Sequence, residues 1–229
     1  HFRDWAPNGH GLVTLKKAIT VSCDTFFYML AHELGIDAID DVLDHFGFGA
    51  KTNIDLPLEK TGILSSPWWK KHHIHLPWYP GDTIITGIGQ GYLLTTPVQL
   101  ATATMMLANH GSGFAPHVLD YTTSPTHESY QHHQKQLNPV TLNTNKHWKT
   151  VINAMHQVIT QGTGFRFGPT PYLVAAKTGT AQLISRENNI NKNDKSVQDH
   201  SLFIAFAPIN KPKIAIAVIV EHQHDAPVV

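Results

Sequence analysis

Ala175-Ala176-Lys177-Thr178-Gly179-Thr180-Ala181-Gln182 reads as the centre of a β-strand running from Tyr172 to Ala181. It gathers a cation and hydroxyl groups on one strand, with a glycine that lets a ligand come close to the backbone. Groups of this kind can hold a carboxylate while the Thr180 N–H meets a developing oxyanion. A Lys-Thr-Gly tripeptide is common by chance, so alone it decides little. Downstream, Ser185–Asp199 reads as a polar, Asn-rich, mobile loop. Ser201–Ala207 and Ile214–Val220 then flank the turn Pro208-Ile209-Asn210-Lys211-Pro212 as a β-hairpin, which predicts an antiparallel sheet.

Upstream the pattern is helical. Thr14–Ile19 predicts a short helix stopping before Ser22. Phe26–Leu34 and Asp37–Phe46 carry apolar residues at helical spacing and end at Gly35 and Gly47. Residues 50–81, rich in Pro, Gly, Trp and His, show no period and read as a long irregular segment packed by its aromatic residues. Gly87-Ile88-Gly89-Gln90-Gly91 lacks the spacing of a phosphate loop. Thr96-Pro97 opens a helix, Val98–Ala108. Gly113–Tyr121 reads as a strand leading into a polar insert, Thr122–Asn145, and Trp148–Ile159 as an amphipathic helix followed by Gly162-Thr163-Gly164. Helices first and strands last predict an α+β fold in which helices pack on an antiparallel sheet. The whole chain reads as one domain, mainly helical and irregular over 1–170 and sheet-forming over 171–229.

Composition narrows the function. Lys plus Arg equals Asp plus Glu at 17 each, which argues against a nucleic-acid partner. A single cysteine, Cys23, excludes an internal disulfide. The 17 histidines, clustered as in His72-His73-Ile74-His75 and His132-His133, read as solvated surface rather than a metal site. No apolar run reaches the roughly 18 residues of a membrane span, and His1-Phe2-Arg3-Asp4 reads like the middle of a domain.

Ser22-Cys23-Asp24, between two helices, suits a proton relay, although taken alone the commoner reading is that Asp24 merely caps the helix starting near Thr25. Asp4, His10 and Cys23 offer oxygen, nitrogen and sulfur, a set that suits zinc, yet their spacing fits no compact zinc finger. A lone cysteine between helices is more often simply buried. From the residues alone, both questions stay open.

Order and spacing over nearly the whole chain go further. Ser22-Cys23-Asp24-Thr25-Phe26-Phe27-Tyr28, Gly35-Ile36-Asp37, Phe46-Gly47-Phe48-Gly49, Pro77-Trp78-Tyr79-Pro80-Gly81-Asp82-Thr83, Gly87–Tyr92, Thr95-Thr96-Pro97 and Ala175–Gln182 together resemble the penicillin-binding transpeptidases of the penicillin-binding protein 2 type. The resemblance implies the penicillin-binding protein and serine β-lactamase fold, here incomplete at its N-terminus, and a serine D,D-transpeptidase that cross-links peptidoglycan stem peptides and is acylated by β-lactams. A β-lactamase shares the fold and motifs, but Pro77–Thr83 and Gly87–Tyr92 favour the transpeptidase. The catalytic set carried over is Ser22 and Asp24 of the second motif with Lys177 and Thr180 of the third. Thr178, Gly179 and Thr180 would hold the substrate carboxylate, and the Thr180 N–H would form half of an oxyanion hole. Ser22 and the Lys177–Thr180 strand should therefore face one cleft.

The resemblance also implies zinc, held by Asp4, His10 and Cys23 with a fourth ligand upstream of His1, tying the Asp4–His10 loop to Cys23 and so fixing Ser22. No organic cofactor is implied. Partners would be stem peptides, β-lactams and membrane proteins of the elongation machinery, a glycosyltransferase included. The expected place is the periplasmic face of the bacterial inner membrane, behind an N-terminal anchoring helix absent from these residues. Two departures stand out. Asp24 replaces the usual asparagine and cannot donate its amide hydrogen bonds unless protonated. No Ser-x-x-Lys occurs in the sequence; Ser66-Pro67-Trp68-Trp69-Lys70 has one residue too many. The nucleophile is thus expected upstream of His1, leaving this stretch inactive alone, or else a catalytically silent scaffold or metal-binding module.

Overall fold

Threonine and serine hydroxyls start most of the helices. The computed structural model describes residues 4–126, 129–131, 133–182 and 198–222. Helix α1 (Leu15–Val21) begins where the Thr14 hydroxyl accepts the Lys17 amide, and it ends at Ser22 in the left-handed region, φ 54° and ψ 54°. Helices α2 (Asp24–Leu34) and α3 (Ile36–His45) meet at Gly35, whose φ of 76° suits glycine. Phe27, Leu30 and Leu34 of α2 face Ile39 and Leu43 of α3 across an apolar recess of about 230 Å³.

The stretch 50–81, expected to be irregular, holds helix α4 (Pro67–His73) and the start of α5 (Pro80–Thr86). Both carry proline in the first turn; the Ser66 hydroxyl accepts the Trp69 amide, and the Asp82 carboxylate accepts the Tyr79 amide at 2.7 Å. Seven residues make under two turns, too few to display a period. His72 and His73 are exposed and stack on Trp68 and Trp69.

Helix α6 (Pro97–Ala108) has the expected Thr96 cap: its hydroxyl accepts the Gln99 amide, and the Gln99 side chain accepts the Thr96 amide at 2.9 Å. Of the strand expected over 113–121 only an isolated antiparallel bridge of Phe114 with Gln136 forms among the described residues before Tyr121 opens the next hairpin. Pro116 has no N–H to give a ladder, and the Asp55 carboxylate accepts the amides of Val118 and Leu119 at 2.7 and 2.8 Å, so a side chain takes the place of a partner strand. The insert that follows carries a short hairpin, β1 (Tyr121–Thr123) with β2 (Ser129–Gln131).

Helix α7 (Asn145–Gln161) buries Trp148, Ile152, Met155 and Ile159, one stripe at three- and four-residue spacing. That stripe lies on the sheet formed by β3 (Ala175–Ala181), β4 (His200–Ala207) and β5 (Ile214–Val220), antiparallel in the order β3-β4-β5. Ala175 and Phe206 pack with Ile152, Met155 and Ala108, while Ala176, Phe203 and Ala205 pack with Ile159. The hairpin is where the sequence places it; the strand starts at Ala175 rather than Tyr172, and most of the loop expected over 185–199 lies outside the described residues. β3 is the sheet's edge, with no further strand along it among the described residues. No helix among those residues is long and apolar enough to cross a membrane.

Candidate active site

Ser22 owes its position to two dockings. The first is α1 on α7. Thr20, 1% exposed, has its hydroxyl 2.8 Å from the Lys16 carbonyl and 3.3 Å from the Gln157 side chain. Gly162 lets the end of α7 close on α1, since a Cβ there would stand 2.0 Å from the Thr20 carbonyl oxygen. The second is α7 on β3 through the core just described. Together they bring the end of α1 to the strand carrying Lys177. Ser22 is held there in a backbone conformation that costs a non-glycine residue about 1–2 kcal/mol. The Trp5 indole N–H supports it, lying 2.9 Å from the Ser22 carbonyl and 3.0 Å from that of Val21.

The Lys177 ammonium donates to the Ser22 hydroxyl oxygen across 155 positions of sequence, and to the Thr178 carbonyl at 2.6 Å. The side chain is half-buried by surface, but its charged end lies deep between α1 and β3. That desolvation lowers its pKa to about 8, with Asp24 pulling the other way. Burial raises the Asp24 carboxyl, Asp4 adds to the rise, and Lys177 and His10 oppose it. A hydrogen bond joining a hydroxyl to an amine that exchanges its proton near pH 8 is the arrangement a proton relay needs.

Along β3, the Thr178 hydroxyl is 2.7 Å from that of Thr163, in the turn after α7. A Cβ on Gly179 would make only an ordinary 3.5 Å contact with Leu202, so packing within the sheet does not require glycine there. Thr180 is exposed, and its carbonyl accepts the Gln90 side-chain amide at 2.7 Å. Gly87 seats the base of the Gln90 loop against α2, where a Cβ would stand 2.3 Å from that of Ala31.

Asp4, His10 and Cys23 come together, their ligand atoms all within 4.8 Å of one another. His10 Nδ1 approaches Asp4 Oδ1 at 3.2 Å but lacks the angle of a hydrogen bond, leaving a buried imidazole nitrogen without a hydrogen-bond partner. Burial alone would raise the Asp4 carboxyl; hydrogen bonds from Ala6, Cys23 and Thr25 and the charge of His10 hold it below the usual range. Cys23 is buried, its sulfur 3.3 Å from the Thr25 hydroxyl. Three converging donors of mixed type and one orphaned ring nitrogen fit a tetrahedral cation with a fourth ligand from elsewhere.

All the residues singled out in the sequence thus fall in one region. Trp5, Gln90 and Thr163 were missed. Gln90 and Thr163 lie in glycine-rich stretches whose residues gave no chemical signal of their own, and Trp5 was overlooked between two proposed ligands.

The Penicillin binding protein transpeptidase domain family matches residues 1–227. The chain is 43% identical over 226 residues to the peptidoglycan D,D-transpeptidase MrdA of Acinetobacter baumannii, covering 96% of this chain and 33% of that protein. It superposes on Pseudomonas aeruginosa PBP2, solved in complex with WCK 5153, with a TM-score of 0.83 and 38% identity, covering 98% of this chain and 48% of that one. It superposes on Helicobacter pylori PBP2, solved in complex with MreC, with a TM-score of 0.81 and 33% identity, covering 96% and 38%. The chain therefore spans about a third of the length of the curated relatives it matches.

Proposed function

The chain belongs to the penicillin-binding protein transpeptidase domain family, and from that premise we propose that it is the larger, C-terminal part of the transpeptidase domain of a D,D-transpeptidase that cross-links peptidoglycan in cell-wall elongation. The observation that carries this reading is the Lys177–Ser22 hydrogen bond beside the edge of β3. The reaction is acyl transfer. A serine outside these 229 residues attacks the penultimate D-Ala carbonyl, and the C–N bond to the terminal D-Ala breaks. The departing amine takes its proton through Ser22, with Lys177 resupplying the relay. An amine of a second strand then attacks the ester and returns the serine. Thr178 and Thr180 hold the substrate carboxylate, and the Thr180 N–H steadies the carbonyl oxygen as it gains charge. Asp24 anchors the second motif rather than donating to substrate, because its carboxylate has no hydrogen to give.

Zinc belongs to the same proposal, with Asp4, His10 and Cys23 as three of its ligands. Bound, it supplies a structural tie and takes no part in acyl transfer. Asp4 and His10, gathered on it with Cys23, would tie the loop carrying Trp5 to Cys23, and Trp5 supports the Ser22 carbonyl. The partners proposed are stem peptides, β-lactams and membrane proteins of the elongation machinery, a glycosyltransferase among them, at the periplasmic face of the inner membrane. The relative from Helicobacter pylori solved with MreC supports such partners. No organic cofactor or nucleic acid enters the scheme.

A second reading, a catalytically silent scaffold, is favoured by one observation, the lack of Ser-x-x-Lys in the sequence. Fluorescent penicillin decides between them. Applied to these 229 residues and to the protein extended upstream, it should label only the longer form, at an upstream serine. No labelling of either form supports the scaffold and sinks the enzyme. Labelling of the shorter form contradicts the placement of the nucleophile.

A further inference from the structure

The edge of β3 is not bare where Gln90 meets it. The Gln90 side chain donates its Nε2 to the Thr180 carbonyl at 2.7 Å, and its Oε1 accepts the Gln182 N–H at 3.4 Å. One side-chain amide thus gives and takes on either side of Ala181, as the N–H and C=O of a single residue in a neighbouring parallel strand would. The loop is built for reach and for movement. Gly87 fixes its base against α2, and Gln90 stands between Gly89 (φ 77°) and Gly91 (φ 82°), with nothing within 4 Å of where a Gly89 Cβ would lie.

We infer that Gln90 is a displaceable latch on β3, which an extended peptide must push aside to pair with both backbone groups of Thr180. The inference rests on the reading that β3 holds the stem peptide. An antiparallel ligand takes the N–H and the carbonyl of the same strand residue. The Thr180 N–H faces the same edge as its carbonyl, since both groups of one antiparallel strand residue point to one side, and the carbonyl is occupied by Gln90. A ligand that reaches only the N–H can bind with the latch closed; a longer one has to open it. The latch therefore sets how much peptide is needed for full pairing, which makes Gln90 a specificity-determining residue and not a catalytic one.

The test is an NMR titration of the protein, wild type, Q90A and Q90E, with propionyl-D-Ala, whose carbonyl can meet the Thr180 N–H but which has no penultimate N–H, and with a longer N-acylated peptide ending in D-Ala-D-Ala. Glutamate keeps the length and the acceptor but cannot donate to the Thr180 carbonyl. The longer peptide should bind both variants about three- to tenfold more tightly than wild type, the worth of one hydrogen bond no longer displaced, and propionyl-D-Ala should not discriminate among the three. Exchange of the Gln182 amide should quicken in Q90A without ligand and stay slow in Q90E. Longer-peptide binding that is equal in all three, or weaker in the variants, overturns the latch while leaving the transpeptidase reading intact. Failure of every protein to bind either ligand overturns that reading, and the latch with it.

Discussion

Lys177 carries two opposed demands. Its ammonium is desolvated to a pKa of about 8, from an ordinary 10.5, yet it must still donate to Ser22. Below pH 8 it is charged in a site that disfavours charge; above pH 8 it is a neutral amine able to take a proton. Following the Lys177 Cε–Hε signals through a pH titration should therefore give a midpoint near 8, and a midpoint near 10.5 contradicts the burial. The stability sign follows by linkage. The folded pKa is depressed, so this lysine's favourable contribution is present above 10.5 and is lost as pH falls through 8. Lys177→Met, of similar volume and without charge, should raise the unfolding free energy by about 1–2 kcal/mol at pH 7, a gain in stability made by removing the amine of the proposed relay. Cys23 supports a second residue-scale prediction. Wild-type protein dialysed against zinc should retain metal, and Cys23→Ala should hold at least about tenfold less, because a thiolate is the strongest donor of the three. Equal zinc in the two proteins removes the site.

At the scale of elements, legibility followed length and capping. Helix α6 was plain because Thr96 and Pro97 mark its start and Gln99 closes the box, and α7 because its stripe spans about three turns. Helices α4 and α5 were not, since what orders them is a buried ion pair rather than a period. Lys70, 2% exposed, meets Asp82 at 2.6 Å, and its ammonium lies 4.7 Å from the Tyr79 ring centroid and 5.3 Å from that of Tyr92. A charge twelve residues from its partner leaves no local trace in sequence, and lysine is among the residues least expected inside. The strand wrongly expected over 113–121 failed for a related reason, the distant Asp55 having taken its amides. Asp82→Asn tests the ion pair. It leaves Lys70 buried without a countercharge and uncouples α4 from α5, so urea unfolding should show a loss of about 3–5 kcal/mol. A loss below about 1 kcal/mol would assign the order of this stretch to aromatic packing instead.

Across the whole molecule, the site exists because a helical half and a sheet half close on one another, and no local pattern could have announced that. The resemblance placed Ser22 opposite Lys177; the physical reason lies in the seam between α1 and α7. There Thr20 is buried, and Gly162 lets two backbones approach more closely than any side chain allows. Gly162 has φ −116° and ψ −152°, an extended conformation open to any residue, so replacing it adds steric bulk without backbone strain. The obstacle is a carbonyl oxygen, which cannot swing away as a flexible side chain could. Gly162→Ala must then lift the end of α1 from α7. Overpacking of about 1–3 kcal/mol in a domain of this size lowers the melting temperature by roughly 2–12 °C. The more telling readout is remote. As α1 lifts, Ser22 draws back and water reaches the Lys177 ammonium, so the Lys177 midpoint should climb from about 8 towards its ordinary value. A variant that loses stability yet keeps its midpoint near 8 would mean that the seam holds the fold together without setting the geometry of the relay.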